Sequence, residues 1–335
     1  MKRLFFGILL VSLVFVSGCT MPDFIPVGGK YCKAIGLCTV EEKTVEIPDV
    51  IVIKNIDIPV VRDGRIGPNR EIDIFVTLEN RDVDKPITLT YVGINPGIFS
   101  CKRENCTSEE EAEKGDKVLN INPGQEKTFS FKVTSPDNSG TMALPGHLEV
   151  SVKYEYTSTR LATITYINKN TYIEYLQSGG KIPVDIINVP SDGPVELYLD
   201  ISKIKQPVII EDESTKTSLE EGKYQIYLEV MNKGSGEIDK IAPEDLTINF
   251  RDMNVKSCSE EFKIINKNKV KNIKPIIMRG QKPFKYYFSF DPSNSIKNEL
   301  TEDRLTVTKK IIASAAYIYR ISKPLDILVS PRAEY

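Results

Sequence analysis

Hydrophobic residues in this chain recur mainly at every second position. Glu71 to Glu79 sets Ile72, Ile74, Val76 and Leu78 against a more polar set. Thr128 to Val133 places Phe129, Phe131 and Val133 on one face, and His147 to Tyr156 does the same with Leu148, Val150, Val152, Tyr154 and Tyr156. Such alternation, enriched in β-branched and aromatic residues, suits strands with one buried and one wet face. Long helical periods are absent. In the main exception Thr107 and Glu110 make a capping box and Gly115 a stop, which predicts about two helical turns with Glu109, Glu110 and Glu111 as a solvated face.

The pattern occurs twice. Phe75 to Asn80 is echoed by Ile226 to Asn232, Phe99-Ser100-Cys101 by Lys256-Ser257-Cys258, Pro123 to Phe131 by Arg279 to Phe288, and Lys153 to Tyr156 by Ala316 to Tyr319. The four matches keep the same order and their offsets drift from 152 at the first to 163 at the last, as they do when insertions and deletions sit in loops, so the matches predict two copies of one fold. Gly179, Gly180, Pro183, Pro190, Gly193 and Pro194 gather between the copies. The expected organisation is therefore a first domain at 45–177, a linker at 178–193 and a second domain at 194–335.

Each copy offers seven or eight short strands between turn residues, the pattern of an antiparallel β-sandwich. Strands ending in Asn, as at Leu78-Glu79-Asn80 and Val230-Met231-Asn232, followed by a Pro-Gly turn and an aromatic-rich strand, resemble the immunoglobulin-like, fibronectin type III-like domains of bacterial and archaeal adhesion-type proteins. The resemblance implies an all-β fold of two tandem immunoglobulin-like sandwiches, with binding or spacing as their task. It departs from antibody domains, because the chain has no Trp and so lacks their Cys, Trp, Cys arrangement.

The first residues have a different character. Lys2 and Arg3 precede an apolar run from Leu4 to Val16, and Ser17-Gly18-Cys19 follows at once. The run is too short for a bilayer-spanning helix, which needs about 20 apolar residues, and it predicts an export signal. The arrangement resembles the lipobox of prokaryotic lipoproteins, which implies removal of 1–18 and a lipid on Cys19. An ordinary secretory signal with a chance Cys, or an uncleaved anchor, is the alternative; each of the three places the chain outside the cytoplasm. Residues 19–44, punctuated by Pro22, Pro26, Gly28, Gly29 and Gly36, read as a tether.

Composition narrows the chemistry. Across 335 residues, 44 Lys and Arg stand against 46 Asp and Glu, giving a net charge of -2 and no electrostatic basis for nucleic-acid binding. One His, His147 at a strand start after Pro145-Gly146, leaves no histidine cluster for a metal or for catalysis. In an exported chain, Cys32 with Cys38 and Cys101 with Cys106 are spaced for local disulfides, and Cys258 is odd. A metal at the first pair would need two further ligands. Asn80, Asp82 and Asp84 lack the full spacing of a calcium loop and read as a solvated turn. Asn105-Cys106-Thr107 fits a glycosylation sequon. No P-loop, nucleophile elbow, zincin or dinucleotide motif is present, and no cofactor is expected.

These readings converge on a non-enzymatic, lipid-anchored protein of the cell envelope, held to the membrane through Cys19. Its sandwiches would face a surface protein, a filament or a glycan. An envelope hydrolase using acidic residues between the domains is the alternative. The last strand, Leu325 to Ser330, is expected to pair within its own half; donation to a neighbouring subunit is the other use of such an edge.

Overall fold

The structure is a computed structural model that describes residues 49–332 apart from 60–63, 102–105, 107–118, 185–186, 190, 211–223, 279–281 and 302–303. Cys19, Cys32, Cys38, Asn105 and the expected helix after Thr107 lie outside the described residues. The first half holds β1 (Ile51–Asp57), β2 (Arg65–Ile66), β3 (Glu71–Asn80), β4 (Ile87–Asn95), β5 (Leu119–Ile121), β6 (Glu126–Thr134) and β7 (Leu144–Asn168). Helix α1 (Lys169–Gln177) and β8 (Asn188–Val189) follow. The second half starts with β9 (Val195–Asp200), β10 (Val208–Ile210), β11 (Tyr224–Asn232), β12 (Glu237–Ile238) and β13 (Leu246–Asn249). It continues with β14 (Met253–Cys258), β15 (Phe262–Asn266), β16 (Lys269–Asn272), β17 (Phe284–Pro292), helix α2 (Asn294–Glu299) and β18 (Thr306–Val329).

The fold is all-β and mainly antiparallel. Two small sheets, ordered β1-β3-β6 and β14-β17-β11-β9, each belong to one half. One large sheet runs β15-β16-β13-β18-β7-β4-β5 and joins the halves through its two central strands. The expected alternation is visible in burial: Ile72, Ile74, Val76 and Leu78 of β3 are fully buried, as are Ile226, Leu228 and Val230 of β11. Burying such side chains contributes about 1.5–3 kcal/mol each, and they join one continuous core.

The duplication persists in the pairing. Ile74 lies opposite Phe131 and Ile226 opposite Phe288, so β3 corresponds to β11 and β6 to β17. The C-terminal strands of the two copies, β7 and β18, are far longer than the short strands expected. They pair with each other from Leu144↔Val329 to Ile167↔Thr306 without a register break. Glu155 stands opposite Ile318, flanked by Tyr154 opposite Tyr319 and Tyr156 opposite Tyr317. Since the repeat relates Tyr154 to Tyr317 and Tyr156 to Tyr319, exchanging the halves maps this ladder onto itself. A local pseudo-twofold axis therefore passes through the Glu155–Ile318 pair.

Each long strand crosses from one half into the other. Residues 149–155 of β7 pair with β4, whereas Leu161, Ala162 and Tyr166–Asn168 take β8 and β10 as further neighbours. In β18, Ile312–Ala315 pair with β13, while Leu328 and Val329 meet β2. The terminal strand thus completes the first half, opposite Leu144–Leu148, and not the half that precedes it in sequence; this corrects the expectation for Leu325–Ser330. Residues Ile47–Tyr335 form one compact unit, and β8, inside the stretch expected to be a linker, is a rung on β7. Helix α1 lies just before that stretch, capped by the Asn168 side chain accepting from the Asn170 amide.

Candidate functional site

Inward positions around the pseudo-twofold axis carry tyrosines. The rings of Tyr154 and Tyr319 lie 5.6 Å apart between centroids, those of Tyr156 and Tyr317 6.2 Å, and those of Tyr317 and Tyr319 6.3 Å, all tilted or edge-on. Burial drives all four phenols far above the ordinary tyrosine range, so they remain protonated. Tyr156 donates to Asp82 Oδ2 at 2.8 Å, and Tyr317 shares a 2.8 Å bond with Ser158 Oγ while accepting from the Val195 amide. Tyr319 donates to Asn232 Oδ1 at 3.0 Å and accepts from the Gly236 amide at 2.9 Å. The band stitches loops of both halves onto the shared strands.

Asn80 and Asn232, the matched strand-ending residues, explain their place in the repeat. Asn80 is fully buried and donates through Nδ2 to the carbonyls of Lys85 and Ile121, while its Oδ1 accepts from the Asp82 amide. Asn232 donates to the Gly236 carbonyl and accepts from Tyr319. Each amide closes the loop that leaves its strand, a role that needs a donor and an acceptor on one short side chain.

Three carboxylates at this waist are engaged by the fold. Asp49 accepts from the amide and hydroxyl of Ser235. Asp82 accepts from the amides of Asp84 and Lys85 at 2.8 and 2.9 Å as well as from Tyr156. Partial burial opposes its ionisation, but the two amides, Tyr156 and the Lys85 charge together hold its carboxyl below the usual carboxylate range. Asp192 accepts from the Thr159 amide at 2.7 Å and pairs with Lys85, whose ammonium also reaches the Thr157 carbonyl. These contacts cap the stretch of β7 between its β4 and β8 neighbours. Gly193, at a φ of +85°, leaves the space that a Cβ would take to the Tyr156 ring.

The opposite, outward face of the shared sheet carries a groove of about 820 Å³ over the axis. Glu155, Lys153 and Ile318 form its floor, with Lys85 and Thr88 on one rim and Asp245 on the other. Ile318 is half exposed. The remaining residues singled out in the sequence fall elsewhere. His147 is exposed on the surface of β7 and contacts Asp326 across the ladder. Cys101 and Cys106 form a disulfide with Cα atoms 6.0 Å apart. Cys258, at the position matching Cys101, is a free thiol whose partial burial pushes its pKa up. Among the described residues no group of three His, Cys, Asp or Glu side chains is placed to hold a metal.

Sequence reasoning missed Asp192, Ser235 and the buried Arg160, which serve contacts between distant segments. The signal that could have located the waist was the Tyr-x-Tyr match between Lys153–Tyr156 and Ala316–Tyr319. No protein-family model matches the chain, and no curated protein resembles it in sequence.

Proposed function

We propose that the chain is a lipid-anchored, extracytoplasmic binding or structural protein of the cell envelope, attached to the membrane through Cys19 and presenting its two halves to a surface partner. The observation that carries this reading is the outward groove over the shared strands, where the half-exposed Ile318 lies beside charged residues of both halves and offers a partner a concave surface. A stretch from 19 to 48 reaches at most about 100 Å when fully extended, enough to hold the fold clear of lipid headgroups. For the hydrolase alternative, Asp49, Asp82 and Asp192 are each engaged by the fold, which leaves Glu155 and Asp245 of the outer groove as the acidic residues it would have to use.

Expression of Cys19→Ala in a prokaryotic host tests the anchor. Uncleaved precursor, or protein released into the aqueous phase on detergent partitioning, is expected, because stable attachment depends on acyl chains. Unchanged mobility and unchanged partitioning would sink the proposal.

A further inference from the structure

The two copies offer an internal comparison on the outward faces of their small sheets, where the core makes no demand on side-chain type. In the second half three tyrosines stand on that face: Tyr198 of β9, Tyr227 of β11 and Tyr287 of β17. The pairing registers identify their counterparts in the first half. Tyr227 lies opposite Tyr287 as Phe75 lies opposite Ser130, and Tyr198 lies opposite Glu229 as Asn55, beside the bulge at Lys54, lies opposite Thr77. One copy thus bears a partly exposed Phe75, a hydroxyl and a polar bulge, held by the Lys54–Glu126 pair and the 3.0 Å Thr77–Thr128 bond. The other bears tyrosines with Tyr198 39% and Tyr287 44% exposed. The same fold is built with and without the exposed rings, so folding does not account for them.

The rings are held in place. The guanidinium of the buried Arg160 lies 5.4 Å from the centroid of the partly exposed Tyr198 ring. Tyr227 is clamped between Lys203 and Lys285, at 4.5 and 4.8 Å, and its hydroxyl accepts from Lys203 at 3.0 Å. Tyr198 and Tyr287 flank β11 opposite Glu229 and Tyr227, two strand spacings or about 10 Å apart across the sheet and offset by two residues along it. The charges around them cancel locally: Lys285 pairs with Glu229, Lys233 with Glu196 and Lys256 with Asp291. Asp200 accepts from the Ser202 amide and faces Lys203 and Lys285.

We infer that this face binds a neutral glycan. Sugar rings present C–H bonds that settle on the electron-rich face of an aromatic ring. Their hydroxyls need donors and acceptors of both kinds, which the paired Lys and carboxylate groups and the tyrosine hydroxyl supply. A locally neutral platform offers an anionic polymer or lipid surface no electrostatic gain. The inference rests on the binding reading above and names its ligand class.

Affinity electrophoresis of the full-length chain in detergent tests it, in native gels containing starch, dextran, mannan or galactan, with hyaluronan as the anionic comparison. Because the chain has no Trp, tyrosine fluorescence reports the same event directly. At least one neutral polysaccharide is expected to retard the protein. Tyr198→Ala and Tyr287→Ala should each weaken that retardation at least fivefold, Tyr287→Phe should retain it, and Ser130→Ala on the matching face should leave it unchanged. Thermal melts establish that each variant is folded. Retardation by hyaluronan alone, by no polysaccharide, or equally by the alanine variants overturns the inference. Self-association abolished by those same variants, without polysaccharide binding, would assign the face to a second copy and overturn it as well. Binding is read in detergent whether or not Cys19 carries lipid, so failure here leaves the anchor to its own test.

Discussion

Deleting Leu325–Tyr335 should unfold the first half of the molecule although the cut lies in the second. The deleted strand removes Ile327 and Val329, both almost wholly buried, and part of Leu325 from the sheet beside Leu144–Leu148. At about 1.5–3 kcal/mol for each fully buried side chain, the first two account for about 3–6 kcal/mol. The Asn138 side chain, also buried, loses the Val329 carbonyl that its Nδ2 bonds at 2.8 Å, and an orphaned buried donor costs about 1–3 kcal/mol. The Leu328 and Ser330 amides no longer reach Gly64 and Ile66. The sum, about 4–9 kcal/mol, is comparable to the whole stability of many domains. Hydrogen exchange read by mass spectrometry should show protection lost over β2 and residues 144–150 of β7, while β11, β13 and β17 keep theirs for longer. Protection lost only from β13 and the rest of the second half, with Leu144–Leu148 unchanged, would refute the crossed-strand account.

Four further outcomes follow from the same contacts. Asn80→Ala leaves the buried carbonyl of Ile121 and the part-buried carbonyl of Lys85 without their donor and should cost about 2–4 kcal/mol in a urea titration at unchanged m-value. Asp82 has a folded pKa below its unfolded value of about 3.9, so its contribution is present above that pH and is lost as the pH falls through the folded value. Melts between pH 6 and pH 3 should therefore show a steeper loss for the wild type than for Asp82→Asn. Gly193→Ala, placing a Cβ at positive φ against Tyr156, should lower stability by at least about 1 kcal/mol by thermal denaturation, whereas Gly124→Ala, with open space at its own positive φ, should cost less. Cys101→Ser opens a short loop and should cost roughly 2 kcal/mol in denaturant, with the same value on reducing the wild type.

Local pattern was enough to specify the class of fold. The alternation of Ile72, Ile74, Val76 and Leu78 places one face of β3 in the core whatever its neighbours are, because side chains along a strand point alternately to its two faces. The repeated Asn80 and Asn232 likewise announced duplicated strand ends before their hydrogen bonds were visible. Glycine and proline clustering suggested a division at 178–193, since such residues mark loops; clustering does not say what the flanking strands pair with. The length of β7 was hidden for a related reason. Beyond Tyr156 its inward positions carry Ser158, Arg160 and Ala162, so the hydrophobic contrast fades although the period continues. In β18, Ala313 and Ala315 face inward between Ser314 and Ala316 and blur the pattern in the same way. Which strand β18 would join was beyond local pattern altogether. Its ladder with β7 links residues 139 to 185 positions apart, and the choice of that partner depends on two inward faces matching, tyrosine against tyrosine about the Glu155–Ile318 pair, a condition that exists only once both strands lie side by side.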